Sequence, residues 1–294
     1  MEHTRFPYSP INERPRFALP NGARVAVWVI PNIEHFHFDK PSTSLTNFST
    51  RFSPDVLNYS WRDYGARVGA FRLMDLMDKY AIKGTAALNA EACDRNPQII
   101  EAGRQLRWEW MGHGANNSTL LAGLDEADER AMIADVLARI EQATGSRPRG
   151  WLSPVLTETF NTPDLLAEQG VDYVADWVND DQPYPMRVRS GSLYSIPYSM
   201  EINDIPAFIE HHMTGEEFAR MIMDQFDVLY EEGGETGRVM SIGLHTFLVG
   251  HPHRSKYLEQ AFRHITSRSD VWLATGSEII DHYKRTVPAD SVMR

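Results

Sequence analysis

Apolar runs of strand length alternate with amphipathic stretches along most of the 294-residue chain. The run RVAVWVI at 24–30 is nearly continuous, which is typical of a strand buried on both faces. Similar short runs predict strands at 84–88, 106–111, 150–153, 171–175, 191–197, 239–244 and 271–274. Helical spacing, capping residues and a helix-starting proline predict helices at 64–80, from 97 onward, and at 125–144, 214–232, 257–267 and 277–285.

Strands that alternate with helices in this way indicate a parallel sheet covered by helices. About seven strands over this length fit one barrel better than two open sheets, so we expect a single α/β domain. The chain contains neither a G-x-G-x-x-G motif nor a phosphate-binding loop, which argues against a nucleotide cofactor.

The segment from 35 to 63 interrupts the alternation. It has no clear period, and it carries Pro41, Pro54, several phenylalanines and many Ser, Thr and Asn residues. A loop of this length inside a compact domain is usually functional or disordered. Because the segment directly follows the first strand, we expect a lid over the pocket. The alternative is a surface excursion that packs on a neighbouring subunit.

Composition narrows the class of function. The chain is 42% hydrophobic, enough for a sizeable core, and its 29 Lys and Arg against 40 Asp and Glu give a net charge of -11. Such a surface repels phosphate backbones and anionic lipids, so we expect neither a nucleic-acid nor a membrane partner. The first residues lack the features of a signal peptide, which predicts a cytoplasmic protein. With Cys93 as the single cysteine, no disulfide or cysteine-based zinc cage forms within the chain.

Polar or aromatic side chains follow five predicted strands at their C-terminal ends, where barrel enzymes place catalytic groups. They are Glu34, His113, Ser153, Trp177 and His245. A single residue of this kind is only suggestive, because a strand end that faces solvent also accepts polar residues. Five on separate strands predict an active site at this rim.

Three of these residues have side chains suited to acid–base chemistry. In a closed pocket we expect Glu34 to have a raised pKa and to act as a general base toward water; the alternative is an ion pair with a barrel arginine. His113 lies between two glycines and is a candidate to bind metal, orient water or donate a hydrogen bond, unless a carbonyl simply satisfies it in the core. His245 is the strongest candidate, since a histidine can protonate a leaving nitrogen near neutral pH.

The other neighbouring histidines are His35 with His37, His211 with His212, and His251 with His253. The spacing of the first pair suits either metal ligands on an extended segment or a lid contact with substrate. The second pair precedes a helix cap and is expected at the surface. The third pair could gather around an anion, and a turn at the start of the next helix explains it equally well.

The order of several motifs resembles that of a known superfamily. The motifs are NIEH at 32–35, YGAR at 64–67, EWMGHG at 109–114, GW and SP at 150–154, the stretch 198–204, GLH at 243–245, VG at 249–250 and Pro252. From about 24 to 280 the chain resembles the polysaccharide deacetylase (chitooligosaccharide-deacetylase homology) superfamily. Within it, the chain is most similar to bacterial cyclic imide hydrolases and to the metal-independent allantoinase branch. The resemblance implies a distorted (β/α)7 barrel that forms one domain over 1–294.

Two departures from the superfamily pattern concern the metal. Sugar deacetylases carry an Asp-Asp pair after the first strand, where this chain has only Glu34 followed by His35. Their His-Ser-x-x-His motif matches a stretch that begins at His113 and ends at Asn117, and an amide oxygen is a poor zinc ligand. We therefore expect no required cofactor. The alternative is one divalent metal, Zn or Mn, held by Glu34, His113 and His245, with His35 as a substitute third ligand.

The resemblance implies an amidohydrolase that opens small cyclic imides, such as succinimide or maleimide, to half-amides. Glu34 and His245 would act with His113, and the residues expected to bind substrate are His35, Asn117, Arg67, Ser153 and Trp177, with Arg72 as a further arginine. The partner would be a small cyclic imide or ureide, and the resemblance also implies a homotetramer. The alternatives are an allantoinase, a carbohydrate or peptidoglycan N-deacetylase, and a non-catalytic ligand-binding barrel.

Overall fold

The computed structural model describes residues 3–40, 42–288 and Val292. Within them, nine strands form one sheet in the order β6-β7-β5-β4-β3-β2-β1-β8, and β9 pairs with β1 off this path. The strands are β1 (Val25–Ile33), β2 (Thr85–Leu88), β3 (Glu109–Gly112), β4 (Gly150–Trp151), β5 (Tyr173–Val174), β6 (Tyr184–Met186), β7 (Leu193–Ser195), β8 (Arg238–His245) and β9 (Val271–Leu273).

The sheet is curled and almost entirely parallel. All nine residues of β1 are buried, and β1 pairs with β8 from Val25↔Arg238 to Asn32↔His245. A parallel bridge between Asn203 and Gly243 places the segment that follows β7 beside β8. This arrangement confirms the predicted α/β class and the distorted (β/α)7 barrel.

Ten α-helices connect or flank these strands in the described residues. They are α1 (Val56–Tyr64), α2 (Ala70–Lys79), α3 (Ala90–Arg95), α4 (Pro97–Gln105), α5 (Glu126–Thr144), α6 (Thr162–Glu168), α7 (Gly215–Glu232), α8 (Thr246–Val249), α9 (Pro252–Thr266) and α10 (Gly276–Thr286). The predicted capping box at the start of α7 is present, because Thr214 and Glu217 exchange side-chain and backbone hydrogen bonds. The predicted end of α5 is also confirmed, since Gly145 adopts φ 76° there.

Several elements lie where the sequence pattern predicted no helix or strand: helices α1, α3, α6 and α8, and strand β6. The 35–63 segment is irregular only in part, because residues from 56 onward form α1, whose first turn is capped by Asp55. A polar composition hid this helix. Strand β6 was also missed; it contains Pro185 and pairs antiparallel with β7 at the edge of the sheet, where a proline is tolerated.

Glycines let the first helices lie directly against the end of β8. A five-residue π-turn, Gly65–Gly69, joins α1 to α2. A Cβ at Gly69 would stand 2.0 Å from the carbonyl oxygen of Thr246, and one at Gly65 would stand 2.6 Å from the Oγ1 of the same residue. This contact fixes α1 beside His245. No described helix is both long and apolar enough to cross a membrane.

Candidate active site

Glu34 is the residue around which the C-terminal rim is organised. It follows the last residue of β1, and its side chain is only 3% exposed. Oε1 accepts a hydrogen bond from Asn117 Nδ2 and lies 3.4 Å from His113 Nε2 and 3.6 Å from His245 Nε2. Oε2 is buried without a hydrogen-bond partner. A buried carboxylate oxygen left unpaired is rare, and it marks the atom available for a proton.

The two histidines present the same nitrogen to Glu34, since each uses its other nitrogen elsewhere. His113 Nδ1 donates to the backbone carbonyl of Leu152 at 2.6 Å. His245 Nδ1 lies 2.7 Å from Asp204 Oδ1, and the His245 backbone N–H donates to Asp204 Oδ2 at 2.8 Å. These contacts fix both rings with Nε2 pointing inward. The fold therefore places Glu34, His113 and His245 side by side, as the strand-end pattern of the sequence predicted.

Asp204 is the member of the site that sequence reasoning missed. It lies in the 198–204 stretch, which carries no strand or helix pattern, yet its side chain is fully buried against His245. The bridge between Asn203 and Gly243 sets it there. A carboxylate that holds one imidazole nitrogen while the other faces a reaction site is a common arrangement for an acid–base histidine.

The charges of the site favour an ionised pair formed by Glu34 and His245. Burial by itself would raise the pKa of Glu34, but the charge of His245, the hydrogen bond and charge of His113, and the Asn117 amide outweigh burial and lower it. The expectation of a raised pKa for Glu34 is therefore wrong. Burial lowers the pKa of His245, but the carboxylates of Glu34 and Asp204 outweigh it and leave the pKa above its ordinary value. These directions favour Glu34 as the group that accepts a proton and His245 as the group that gives one.

A cavity of about 510 Å³ opens in front of Glu34. Its wall comes mainly from the 35–63 segment and α3, and it includes His35, Tyr59, Arg62 and Glu91. This volume suits a small ring compound. A larger cavity of about 610 Å³ lies elsewhere, against the N-terminal residues and the middle of β8, and neither Glu34 nor the two rim histidines line it. We place the candidate site at the smaller cavity because Glu34 lines it. His113 and His245 line neither cavity, but their Nε2 atoms lie 3.4 Å and 3.6 Å from Glu34 Oε1.

Arg62 is a second pocket residue that sequence reasoning missed, because it lies on the helix hidden in the 35–63 segment. Its guanidinium stands 4.7 Å above the ring of Phe36, and its charge interacts with that of Glu34. Nη1 donates to the Thr43 carbonyl at 2.7 Å, whereas Nε is buried without a partner. Arg62 is therefore a candidate to orient a substrate oxygen.

The two arginines named from the sequence have other partners. Arg67 lies at the rim of the cavity, but its side chain is 75% exposed and forms an i,i+4 ion pair with Asp63. Arg72 donates to the Tyr64 hydroxyl at 2.8 Å and to the backbone carbonyl of Gly250. These contacts tie α2 to the end of α1 and to the residue after α8. Arg72 does not line the cavity in front of Glu34, so its predicted role in orienting substrate gains no support here.

Ser153 and Trp177 also bind protein groups behind the rim. The Ser153 hydroxyl accepts a hydrogen bond from Trp151 Nε1 at 2.9 Å, and its backbone N–H donates to Asp176 Oδ1 at 2.7 Å. Trp177 Nε1 donates to Glu158 Oε1 at 3.1 Å. Neither residue lines the cavity in front of Glu34. The structure thus favours a supporting role for both over the predicted contact with substrate.

The donor set at the rim does not fit a metal in the superfamily's position. Asn117 turns its NH2 group toward Glu34, and its Oδ1 accepts a hydrogen bond from Asn89 Nδ2 at 3.0 Å. Its only side-chain oxygen is therefore engaged by Asn89 and does not face Glu34. Among the described residues, Glu34, His113 and His245 do not form a group whose ligand atoms all lie within 4.8 Å of one another. The alternative ligand set named from the sequence is not supported by this geometry.

Comparison with known proteins agrees with this fold. The family model for polysaccharide deacetylase matches residues 59–174. A structure from Pseudomonas aeruginosa PAO1, solved as a "probable Polysaccharide deacetylase", is 30% identical, covers 92% of this chain and 94% of its own, and has a TM-score of 0.83. The chain belongs to the polysaccharide deacetylase family. The superfamily resemblance is confirmed, and membership supports a hydrolase that acts on C–N amide bonds.

Two further relatives extend the comparison. The solved Puue allantoinase is 28% identical, with 92% of this chain and 94% of that chain covered and a TM-score of 0.82. A Schizosaccharomyces pombe protein provisionally named a polysaccharide deacetylase is 28% identical over an alignment of 310 residues, which covers 95% of this chain and 95% of that protein. The solved structures similar to this chain therefore include one named an allantoinase, with nearly the same fold.

Proposed function

We propose that this protein is an amidohydrolase that opens small cyclic imides by cleaving a ring C–N bond. The observation that carries the proposal is Glu34, which lines a small cavity and keeps Oε2 without a partner, while its Oε1 lies near the Nε2 atoms of two oriented histidines. A base next to an acid at one rim is what hydrolysis of an amide requires. The relation to Puue allantoinase supports a ring substrate over a sugar amide.

The reaction begins with a water held between Glu34 and the substrate carbonyl. Glu34 Oε2 takes one proton as the water oxygen attacks the ring carbonyl carbon, and the carbonyl oxygen gains negative charge. Arg62, on the cavity wall, is the cation placed to bind and orient that carbonyl oxygen when the substrate is bound.

Collapse of the tetrahedral intermediate breaks the ring C–N bond. His245 Nε2 gives its proton to the departing nitrogen, and Asp204 holds the ring in place through Nδ1. The nitrogen of an imide leaves readily because its second carbonyl delocalises the charge. The product is a half-amide with a new carboxylate, and the proton on Glu34 restores His245 or passes to solvent.

Allantoin hydrolysis is the second candidate, and the structural similarity to Puue allantoinase favours it. Allantoin also has a ring amide bond next to a second carbonyl, so the same groups would serve. What separates the two is the pocket. A cavity of about 510 Å³ accepts a bare imide ring and also a ring with a side arm.

A substrate panel tests the proposal. Purified protein is assayed with succinimide, maleimide, dihydrouracil, hydantoin, allantoin and an N-acetylated chitooligosaccharide under one set of conditions. The proposal expects the highest kcat/KM for an unsubstituted imide. Highest activity on allantoin would select the second candidate, and activity on the acetylated sugar alone would overturn both.

A further inference from the structure

Three potential metal ligands meet on the wall of the cavity, apart from the Glu34 centre. His35 and His37 lie just after β1, and Glu91 lies on α3, three residues past the end of β2. Each offers one ligand atom, and the three atoms lie within 4.8 Å of one another. In the part of the chain that the structure describes, no other group of three His, Cys, Asp or Glu residues meets this distance.

Both imidazoles point at the same carboxylate oxygen. His37 Nε2 is 2.9 Å and His35 Nε2 is 3.8 Å from Glu91 Oε2. Nitrogen–oxygen distances of this size need only small side-chain rotations to reach the spacing of ligands around a single ion. Two imidazole nitrogens and one carboxylate oxygen are the donor set of several open zinc sites.

The surroundings hold each ligand in place by a second contact. The other oxygen of Glu91 accepts a hydrogen bond from Asn116 Nδ2 at 2.7 Å. The backbone N–H of His35 donates to Asn89 Oδ1 at 2.8 Å, and that of His37 donates to Ser118 Oγ at 3.1 Å. Metal ligands are commonly oriented by such outer hydrogen bonds, whose loss weakens metal binding.

The cluster is open to solvent while the Glu34 centre is closed. The exposed fractions of the side chains are 19% for His35, 29% for His37 and 24% for Glu91, compared with 3% for Glu34. All four residues line the same cavity. An ion could therefore enter from solvent, bind three protein atoms and keep a free coordination position toward the cavity.

Another histidine pair shows that proximity of two imidazoles is not sufficient. The rings of His251 and His253 are 5.9 Å apart, the same distance as those of His35 and His37. However, His251 stacks on Tyr64 at 4.1 Å, and the charges that lower its pKa after burial are those of Arg254, His253 and Arg72. The pair at 35 and 37 differs because a carboxylate completes it.

We propose that His35, His37 and Glu91 form a binding site for a divalent transition-metal ion of the zinc class. The site is separate from the acid–base centre, and it does not use His113 or Asn117, which occupy the superfamily's usual metal position. The ion would sit on the cavity wall with a position open to a substrate oxygen or to water. The proposal does not depend on which amide bond the enzyme cleaves.

Calorimetric titration with Zn²⁺ alone tests the site in protein that has first been treated with a chelator. We expect one zinc ion per chain in the wild type. His37→Ala and Glu91→Gln should each weaken zinc binding at least about a hundredfold, since they remove a ligand, and Asn116→Ala about tenfold, since it removes outer support. Circular dichroism shows that each variant is folded.

Matched controls separate this site from the others. His253→Ala removes a histidine from a pair of equal spacing, and Glu34→Gln alters the acid–base centre; both should bind zinc as the wild type does. Zinc should also raise the Tm of the wild type and of His253→Ala but not of His37→Ala. The proposal is overturned if the wild type binds no zinc, if His37→Ala binds it unchanged, or if Glu34→Gln abolishes binding.

Discussion

Two glutamates lie at opposite edges of the same sheet, one at the amino ends and one at the carboxyl ends of its strands, and they differ in how many hydrogen bonds their carboxylates accept. Glu109 begins β3, at the amino edge, where it accepts hydrogen bonds from the Tyr173 hydroxyl at 2.8 Å, the Ser277 backbone N–H at 3.0 Å and Thr85 Oγ1 at 3.2 Å. Glu34 follows β1, at the carboxyl edge, and one of its oxygens has no partner.

This difference in hydrogen bonding indicates a structural role for Glu109 and a chemical role for Glu34. Both oxygens of Glu109 are used to tie β2, β5 and α10 to β3, so this residue has no free capacity for a proton or a ligand. The neighbours of Glu34 lower its pKa and so favour the ionised carboxylate, but they leave one of its oxygens without a hydrogen bond. Active sites commonly keep such incompletely paired groups, whereas supporting networks are fully paired.

The largest expected effect follows from removing the open oxygen. Glu34→Gln should lower kcat at least about a hundredfold, because the amide cannot take a proton from water. The free energy of unfolding should change little in comparison. Steady-state kinetics and urea unfolding of the same preparation measure both, and near-normal turnover would remove Glu34 from the role of base.

The next effect concerns the group that orients the acid. Asp204→Asn should lower kcat/KM roughly tenfold or more at neutral pH, because His245 loses the carboxylate that raises its pKa. Activity falls as the pH rises through the pKa of His245, so the alkaline limb of the pH profile should move to lower pH. Glu201→Gln, three residues earlier and exposed, is the control and should leave the limb in place. An unshifted limb in Asp204→Asn would contradict the coupling.

At the amino edge the expected effect is on stability. Glu109→Gln should reduce the free energy of unfolding by about 1–3 kcal/mol, because the amide nitrogen cannot accept the hydrogen bonds that the carboxylate accepts. Turnover of the folded variant should stay close to that of the wild type. A large loss of kcat in the folded variant would show that the two edges are not functionally distinct.

The smallest effect is expected for substrate orientation. Arg62→Gln should raise KM by about tenfold, close to the 1.4 kcal/mol that one modest polar contact supplies, with a smaller change in kcat. Arg67→Gln, at the exposed rim, is the matched control and should change neither constant appreciably. A larger effect at Arg67 than at Arg62 would reverse this assignment.

Much of the fold was predictable because its signals are local. The run at 24–30, the capping box at Thr214 and the glycine after α5 each specify an element through neighbouring residues. The helix at 56–64 was missed because its polar residues hide the period, and its stability comes from packing against the end of β8.

The site was predictable only where it follows a strand. Glu34, His113 and His245 come directly after apolar runs, whereas Asp204 is placed by a single bridge between distant segments. Glu91 also carries this signal, since it lies three residues after the second strand. The pKa of Glu34 was not predictable from sequence, because its direction depends on three side chains converging from other elements.

The most direct test of the central claim is turnover of the preferred ring substrate after exhaustive chelation. An acid–base centre built from Glu34, His245 and Asp204 should keep most of its kcat without any metal, and Glu34→Gln should remain inactive under the same conditions. Loss of activity on chelation in both the wild type and His37→Ala, with recovery on addition of zinc or manganese, would contradict the account and move Glu34 and His113 to the role of metal ligands.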